Sequence, residues 1–210
     1  MSELKKLIIV GAGDMGRELL QWCKEINAAQ QKWEIVGFID DDVSALDPYA
    51  CDYPIIGAIS DYEPSSNEVF ALGIAGPAAK ERVVETLKAK GAKFTQVIHP
   101  RALLSDYTNV GEGVVMYPNV IMGPNTTVGN FATLLSGGGH DVVIGDYSTV
   151  SSLCDLCGHV EIGRKAFIAS HVSVIPGKKI GDEAYVGAGS IVIRNVKAGA
   201  RVFGNPARQI

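Results

Sequence analysis

The chain has 210 residues, 47% apolar and 20% charged, with 19 Lys and Arg against 23 Asp and Glu for a net charge of −4. This composition excludes a disordered chain, and the length suits one large domain or two small ones. It offers no global basic field for nucleic acid or an anionic membrane surface, and no apolar run near the roughly 20 residues of a membrane span.

The opening MSELKKLIIVGAG has too short an apolar stretch for a secretion signal and reads as a strand over Leu7–Val10, so the cytoplasm is the expected compartment. Gly11-Ala12-Gly13-Asp14-Met15-Gly16 follows, a GxGxxG turn of the kind that lets a phosphate or nucleotide approach backbone N–H groups. Arg17 to about Ala29 has helical spacing, with Leu19, Leu20, Cys23 and Ile26 on one stripe. A second strand over 34–39 ends in Asp40-Asp41-Asp42, carboxylates suited to a ribose or uracil, although later than the usual spacing of about 20 residues in dinucleotide binders. Asp14 puts a carboxylate inside the turn, which disfavours a diphosphate unless it points away or caps the helix. A third strand over 69–74 precedes Pro77, which opens a helix to about Lys90 that stops at Gly91. Residues 94–98 read as a fourth strand. Such alternation predicts a small parallel sheet flanked by helices over residues 1–99.

From residue 110 the period becomes six. Aliphatic residues or Met stand at 110, 116, 122, 128 and 134, then at 144, 150, 156, 162, 168, 174, 180, 186 and 192. Small residues recur four positions on, and Gly often follows the aliphatic. This is the hexapeptide signature of a parallel β-helix, with three hexads per coil and the aliphatic pointing inward. It predicts about five coils over residues 100–210, with the glycines serving left-handed corners.

The two series are ten residues apart, a hexad plus four, and the break reads SGGGHDVVIGD. It predicts a bulge or loop there, with His140 and Asp141 behind it as turn residues, metal ligands or a catalytic pair. An imidazole titrates near neutral pH and so suits a general base, and an adjacent carboxylate can fix its tautomer. Gly158 lies 18 residues, one coil, beyond His140. Four cysteines make no disulfide framework, and Cys154-Asp-Leu-Cys157 falls inside a repeat, where packing is the expected role.

GAGxxGRE, a strand ending in FIDD, IHP, the hexapeptide array with GHDVVIGD and the terminal VFGNPAR together resemble the sialic-acid O-acetyltransferase and bacillosamine N-acetyltransferase family. The resemblance covers about residues 5–208. It implies a Rossmann-like α/β domain that holds a sugar or nucleotide sugar, joined to a left-handed β-helix acyltransferase domain, in a homotrimer. Acetyl-CoA would lie between neighbouring helices and no metal is expected. His140 becomes the general base, Asp141 its orienting acid and the Gly158 amide the oxyanion donor. Thr149, Gly158, Ser170, Gly187, Ala188 and Pro206 would contact acetyl-CoA. Gly11, Gly13, Asp14, Met15, Gly16, Asp40, Asp41 and Ala75 would contact the sugar substrate. Lys178, Lys179, Arg194 and Arg208 are basic enough to meet the CoA phosphates.

The sequence departs from the family at two places. Several amino-sugar N-acetyltransferases have a second histidine nine residues after the base, where this chain has Thr149. Some have an acidic residue before the base, where it has Gly139. His159 and His171 invite comparison with the zinc β-helix carbonic anhydrases, but a spacing of 12 places them on different sides of the triangle. A metal-dependent β-helix hydratase and a non-catalytic trimeric binding or assembly protein are therefore the alternative classes. The expected activity is acetyl-CoA-dependent transfer to a sugar amine or hydroxyl.

Overall fold

The computed structural model describes residues 4–210. β1 (Lys5–Val10), α1 (Asp14–Ala29), β2 (Trp33–Ile39), β3 (Glu68–Leu72) and α2 (Pro77–Ala89) follow in order, and the strands form a parallel sheet in the order β2-β1-β3. β1 is buried along Leu7–Val10 because both neighbours pair with it and helices cover its faces. Among the described residues, no helix is long and apolar enough to cross a membrane.

The expected fourth strand divides instead. Phe94 makes a single bridge to Phe70, and β4 (Val97–Ile98) already pairs with Val115–Met116 in the solenoid. The cause lies at Gln96, whose side-chain amide donates to Val110 O and Gly111 O and draws the chain onto the repeats.

The remainder is a left-handed parallel β-helix of about six turns, one more than the hexad count predicts. Ile98 and Leu104 extend the series upstream, and Val196 and Val202 close it after a step of four. Stacked strands form three faces. The first begins at Val97 and continues through Val115, Thr133, Thr149, Phe167, Tyr185 and Arg201. Inside the prism, Met116, Met122, Val128, Leu134, Ile144 and Val150 are buried, as are the small residues four positions on, such as Ala132, Ser148 and Ala166.

The glycines after the aliphatics do not occupy left-handed corners. Those corners fall three residues after the aliphatic and are held mostly by non-glycine residues, including Asn125, Asp141, Leu153, His159 and His171, with φ of 57–61°. The repeat glycines are needed for close stacking. A Cβ on Gly123, Gly145 or Gly163 would come within 2.6 Å of atoms in the next coil. The break at 134–144 is likewise no bulge. Gly138 bridges Met122 above and Leu156 below, so one corner is shortened by two residues. Gly137 makes this possible, since a Cβ there would sit 1.9 Å from Ile121 O.

The N-terminal helices dock on the first face. Glu18 accepts from Tyr117 Oη at 3.0 Å, Glu25 pairs with His99 Nε2 at 3.1 Å, and Trp22 stands edge-on to both rings. Lys80 of α2 is fully buried, and its Nζ reaches Thr133 Oγ1 at 2.7 Å and Ser148 O at 3.2 Å. Burial without a carboxylate partner pushes its pKa well below the ordinary lysine range.

Candidate active site

His140 lies at the corner that follows the shortened turn. Its Nδ1 is 2.7 Å from Asp141 Oδ2, and its ring stands at right angles to that of His159, with centroids 5.0 Å apart. Asp141 and His159 are 18 residues apart and occupy equivalent left-handed corners of successive coils. His159 Nε2 is 3.9 Å from the same Asp141 oxygen. The His140 bond, with lesser help from His159 and Asn125, holds the Asp141 carboxyl below the usual carboxylate range.

With Nδ1 facing the carboxylate, Nδ1–H is the favoured tautomer and Nε2 carries the lone pair. Nε2 has no hydrogen-bond partner among the described residues. The ring is half exposed and lies over the Cα of Gly158, where a Cβ would meet Cε1 at 2.5 Å and Nε2 at 2.6 Å.

The Gly158 amide differs from several amides at the next corner. At the next corner of the triangle, the N–H groups of Glu112, Asn130 and Arg164 each donate to an Asn or Asp side chain one coil below. The corresponding column here runs Pro124, His140, Gly158, Pro176. Proline offers no such side chain, and the Gly158 N–H has no acceptor among the described residues. Gly139 keeps it uncovered, because a Cβ at 139 would lie 3.1 Å from Gly158 N. The site thus combines a base-competent imidazole, its orienting carboxylate and an undercommitted amide on adjacent coils.

The other expected residues are dispersed within one chain. Thr149 is buried on the first face, and its hydroxyl donates to Ala75 O at 2.7 Å, joining the loop before α2 to the solenoid. The Thr149 hydroxyl and the Ala75 carbonyl are therefore committed to each other, on a different side of the prism from His140. Ser170 is partly exposed and its carbonyl accepts from Gly189 N. Gly187 is buried under the Phe203 ring, which a Cβ would strike, whereas Ala188 and Pro206 are exposed. Pro206 and Arg208 line a cavity of about 320 Å³ with Arg194 and Lys197. Lys178 and Lys179 lie outside its lining, and Lys179 pairs with Glu161 at 2.8 Å.

At the other end of the molecule, Gly11 takes φ +95° and Gly16 packs so closely that a Cβ would lie 1.9 Å from Gly11 O. Gly13 is the N-cap of α1, with no side-chain cap, and a Cβ there would meet nothing within 4 Å. Asp14 points away, its side chain 95% exposed and paired with Arg17, and Met15 is partly buried. The acidic run is largely used internally. Asp40 accepts from Ala12 N and Asp42 N, Asp41 from Ser60 N, and Asp42 from Ser44. Cys154 points inward and its Sγ donates to Ala169 O, whereas Cys157 is partly exposed and lies 3.9 Å from an Asp155 carboxylate oxygen.

His159 is a neighbour of the pair, outside the base–carboxylate–amide set, that spacing could have supplied. The separation of 18 from Asp141 is one full coil, but the pairing with His171 drew attention to a spacing of 12. His171 occupies a different corner column, with Leu153 and Gly189, and does not join the cluster.

Residues 6–87 match the family described as the PglD N-terminal domain. The GDP-perosamine N-acetyltransferase of Escherichia coli O157:H7 is 33% identical over 158 residues, covering 70% of each chain. The acetyltransferase domain of PglB from Neisseria gonorrhoeae FA1090 superposes with a TM-score of 0.88 at 21% identity, covering 98% of this chain and all of that one. PerB from Caulobacter crescentus, in complex with CoA and GDP-perosamine, gives a TM-score of 0.87 at 22% identity, covering 99% of this chain and 98% of that one.

Proposed function

The chain belongs to the hexapeptide-repeat sugar acetyltransferases, and from that premise we propose that it moves the acetyl group of acetyl-CoA to the amine of a nucleotide-linked amino sugar, with His140 as general base. The observation that carries the reading is the His140 site itself. Asp141 fixes the Nδ1–H tautomer, leaving Nε2 to accept a proton beside an amide with no internal acceptor.

The sugar amine attacks the thioester carbonyl while Nε2 takes its proton, and Asp141 stabilises the imidazolium that forms. Negative charge grows on the carbonyl oxygen, and the Gly158 N–H receives it. Collapse of the tetrahedral intermediate expels the CoA thiolate, which regains the proton from His140. An amine acceptor is favoured over a hydroxyl by the 33% identity to an N-acetyltransferase.

The N-terminal unit supplies the sugar site in this reading. The first N–H groups of α1 lack a side-chain cap and sit behind the open Gly13, as an anionic diphosphate requires. Asp40 and Asp41 then act by shaping that turn, since their oxygens are engaged within the chain. Thr149 and Ala75 act by tying the loop before α2 to the solenoid, not by touching either substrate. The division of labour falls near residue 99, with acceptor binding before it and acyl transfer after it.

In this reading the 11–16 turn of one subunit faces the His140 cluster of its neighbour in a homotrimer. The exposed and paired Leu103 and Ile121, with Leu153 at a neighbouring corner, supply apolar surface for that contact. Acetyl-CoA then enters the groove between neighbouring solenoids, with Ser170, Ala188 and Pro206 on its path, Gly187 behind them under the Phe203 ring, and the cavity beside Arg194, Lys197 and Arg208 at its phosphate end. Both co-substrates place the reaction in the cytoplasm.

The test is a panel of nucleotide-linked and free amino sugars incubated with acetyl-CoA, reading thiol release and product mass. N-acetylation of a nucleotide-linked acceptor is expected. Efficient transfer only to free sugars, or only to hydroxyls, would overturn the acceptor assignment.

A further inference from the structure

His140, Asp141 and His159 have a second property beyond orienting a base. One ring nitrogen each of His140 and His159 and an Asp141 carboxylate oxygen all lie within 4.8 Å of one another, and the His140 nitrogen nearest the carboxylate is Nδ1. They come from two adjacent coils of a rigid solenoid, and the backbone ties those coils together there, since His159 N donates to His140 O at 3.0 Å. Two ligands bound at 2.0–2.1 Å to a tetrahedral zinc ion stand about 3.3 Å apart. The distances from Asp141 Oδ2, 2.7 Å to His140 Nδ1 and 3.9 Å to His159 Nε2, bracket that value. Closing three ligands around one ion then needs side-chain adjustments only, with the two imidazole nitrogens drawn together from within 4.8 Å.

The donor set also fits. Two imidazoles and one carboxylate suit Zn²⁺ and its late transition-metal neighbours, not the all-oxygen shell that Mg²⁺ or Ca²⁺ prefers. The cluster is open to solvent, with side-chain exposures of 56% for His140, 35% for Asp141 and 65% for His159, which leaves the ion's fourth position to water.

We infer that these three residues form a binding site for one transition-metal dication of the Zn²⁺ type, and that its occupancy switches His140 off as a base. The switch rests on the reading of His140 given above. Metal and proton compete for Nδ1. When the ion takes the Nδ1 lone pair, the single proton of the neutral imidazole moves to Nε2, through solvent. Nε2–H cannot accept a proton from the sugar amine. The ion also occupies the Asp141 oxygen that would stabilise the imidazolium. Zinc is thus an inhibitor of this site and not a cofactor for it.

Direct binding decides the site without turnover. Co²⁺ titrated into the full chain is expected to give the d–d absorption of a nitrogen- and oxygen-ligated ion at one per chain, displaced by Zn²⁺. His159→Gln, which leaves the His140–Asp141 contact in place, is expected to abolish that signal. Zinc at tenfold excess over its dissociation constant should remove about nine-tenths of wild-type transfer activity, reversibly with chelator. The same zinc should leave His159→Gln active. One ion per chain that still binds His159→Gln would overturn the site. Binding that His159→Gln abolishes, with wild-type activity unchanged at saturating zinc, would overturn the switch. A fully active His140→Ala would refute the base assignment separately, and the Co²⁺ titration would still decide the metal site.

Discussion

Gly158→Ala separates the two catalytic contributions assigned to this corner. The substitution keeps the backbone N–H, so the oxyanion donor survives. Its Cβ would lie 2.5 Å from His140 Cε1, 2.6 Å from Nε2 and 3.1 Å from Nδ1. Ordinary contact between such atoms is about 3.5–4.0 Å, so the ring must retreat by about 1 Å. The ring is half exposed and has room to swing outward, which moves Nε2 away from the acceptor and loosens the Asp141 contact. A misplacement of about 1 Å costs on the order of a hundredfold in rate, about 2.7 kcal/mol of barrier. Gly158 is not in the left-handed region, so alanine fits its backbone and the melting temperature should move by no more than about 3 °C. The assay is thiol release from acetyl-CoA at saturating acceptor, beside a thermal melt. Wild-type kcat in a folded Gly158→Ala protein would refute the placement of His140 over Gly158 as the working geometry.

Other substitutions probe the scaffold. Gly137→Ala places a Cβ 1.9 Å from Ile121 O and should destabilise the fold by about 3 kcal/mol in denaturant titration, whereas Gly138→Ala, which meets only side chains at 3.3 Å or more, should cost less. Burial raises the Cys23 thiol from 9.0 to about 12, so the unfolded chain releases this proton first as pH rises. Wild type should lose about 1 kcal/mol of stability between pH 9 and 10 from this group, a loss that Cys23→Ala lacks. For Lys80 the sign is opposite, because its folded pKa lies below the unfolded one and the unfolded chain binds the extra proton. The melting temperature of Lys80→Met minus that of wild type should therefore increase as pH falls from 10 to 7, and a flat difference would show that Lys80 is charged in the folded protein.

The solenoid was legible because a six-residue period has few other physical origins, and the inward positions follow it closely. Its length was less legible. Ile98 and Leu104 keep the period, but Phe94-Thr-Gln-Val-Ile98 also reads as a strand of the preceding sheet, and only the docking of Gln96 decides between them. The repeat glycines were visible while their cause was not, since close stacking of coils leaves no mark that distinguishes it from a left-handed corner. The His140–Asp141 pair could be picked out from its place beside the break in period. Its partner His159 needed the coil length applied to Asp141, and the free Gly158 amide needed the prolines of its column compared with the Asn and Asp of the next. The Lys80 contacts and the Thr149–Ala75 bond join segments more than 50 residues apart, so they follow from docking that no local pattern encodes.

The central claim is that His140 removes the acceptor proton during acetyl transfer. The most direct measurement is kcat for wild type and His140→Asn with acetyl-CoA and a nucleotide-linked amino sugar, with acceptor affinity measured independently by calorimetry. Asparagine keeps a polar side chain of similar reach but cannot act as a base at neutral pH. A fall in kcat of about 10²–10⁴ with acceptor affinity little changed is the predicted result. Equal kcat in the two proteins would contradict the account.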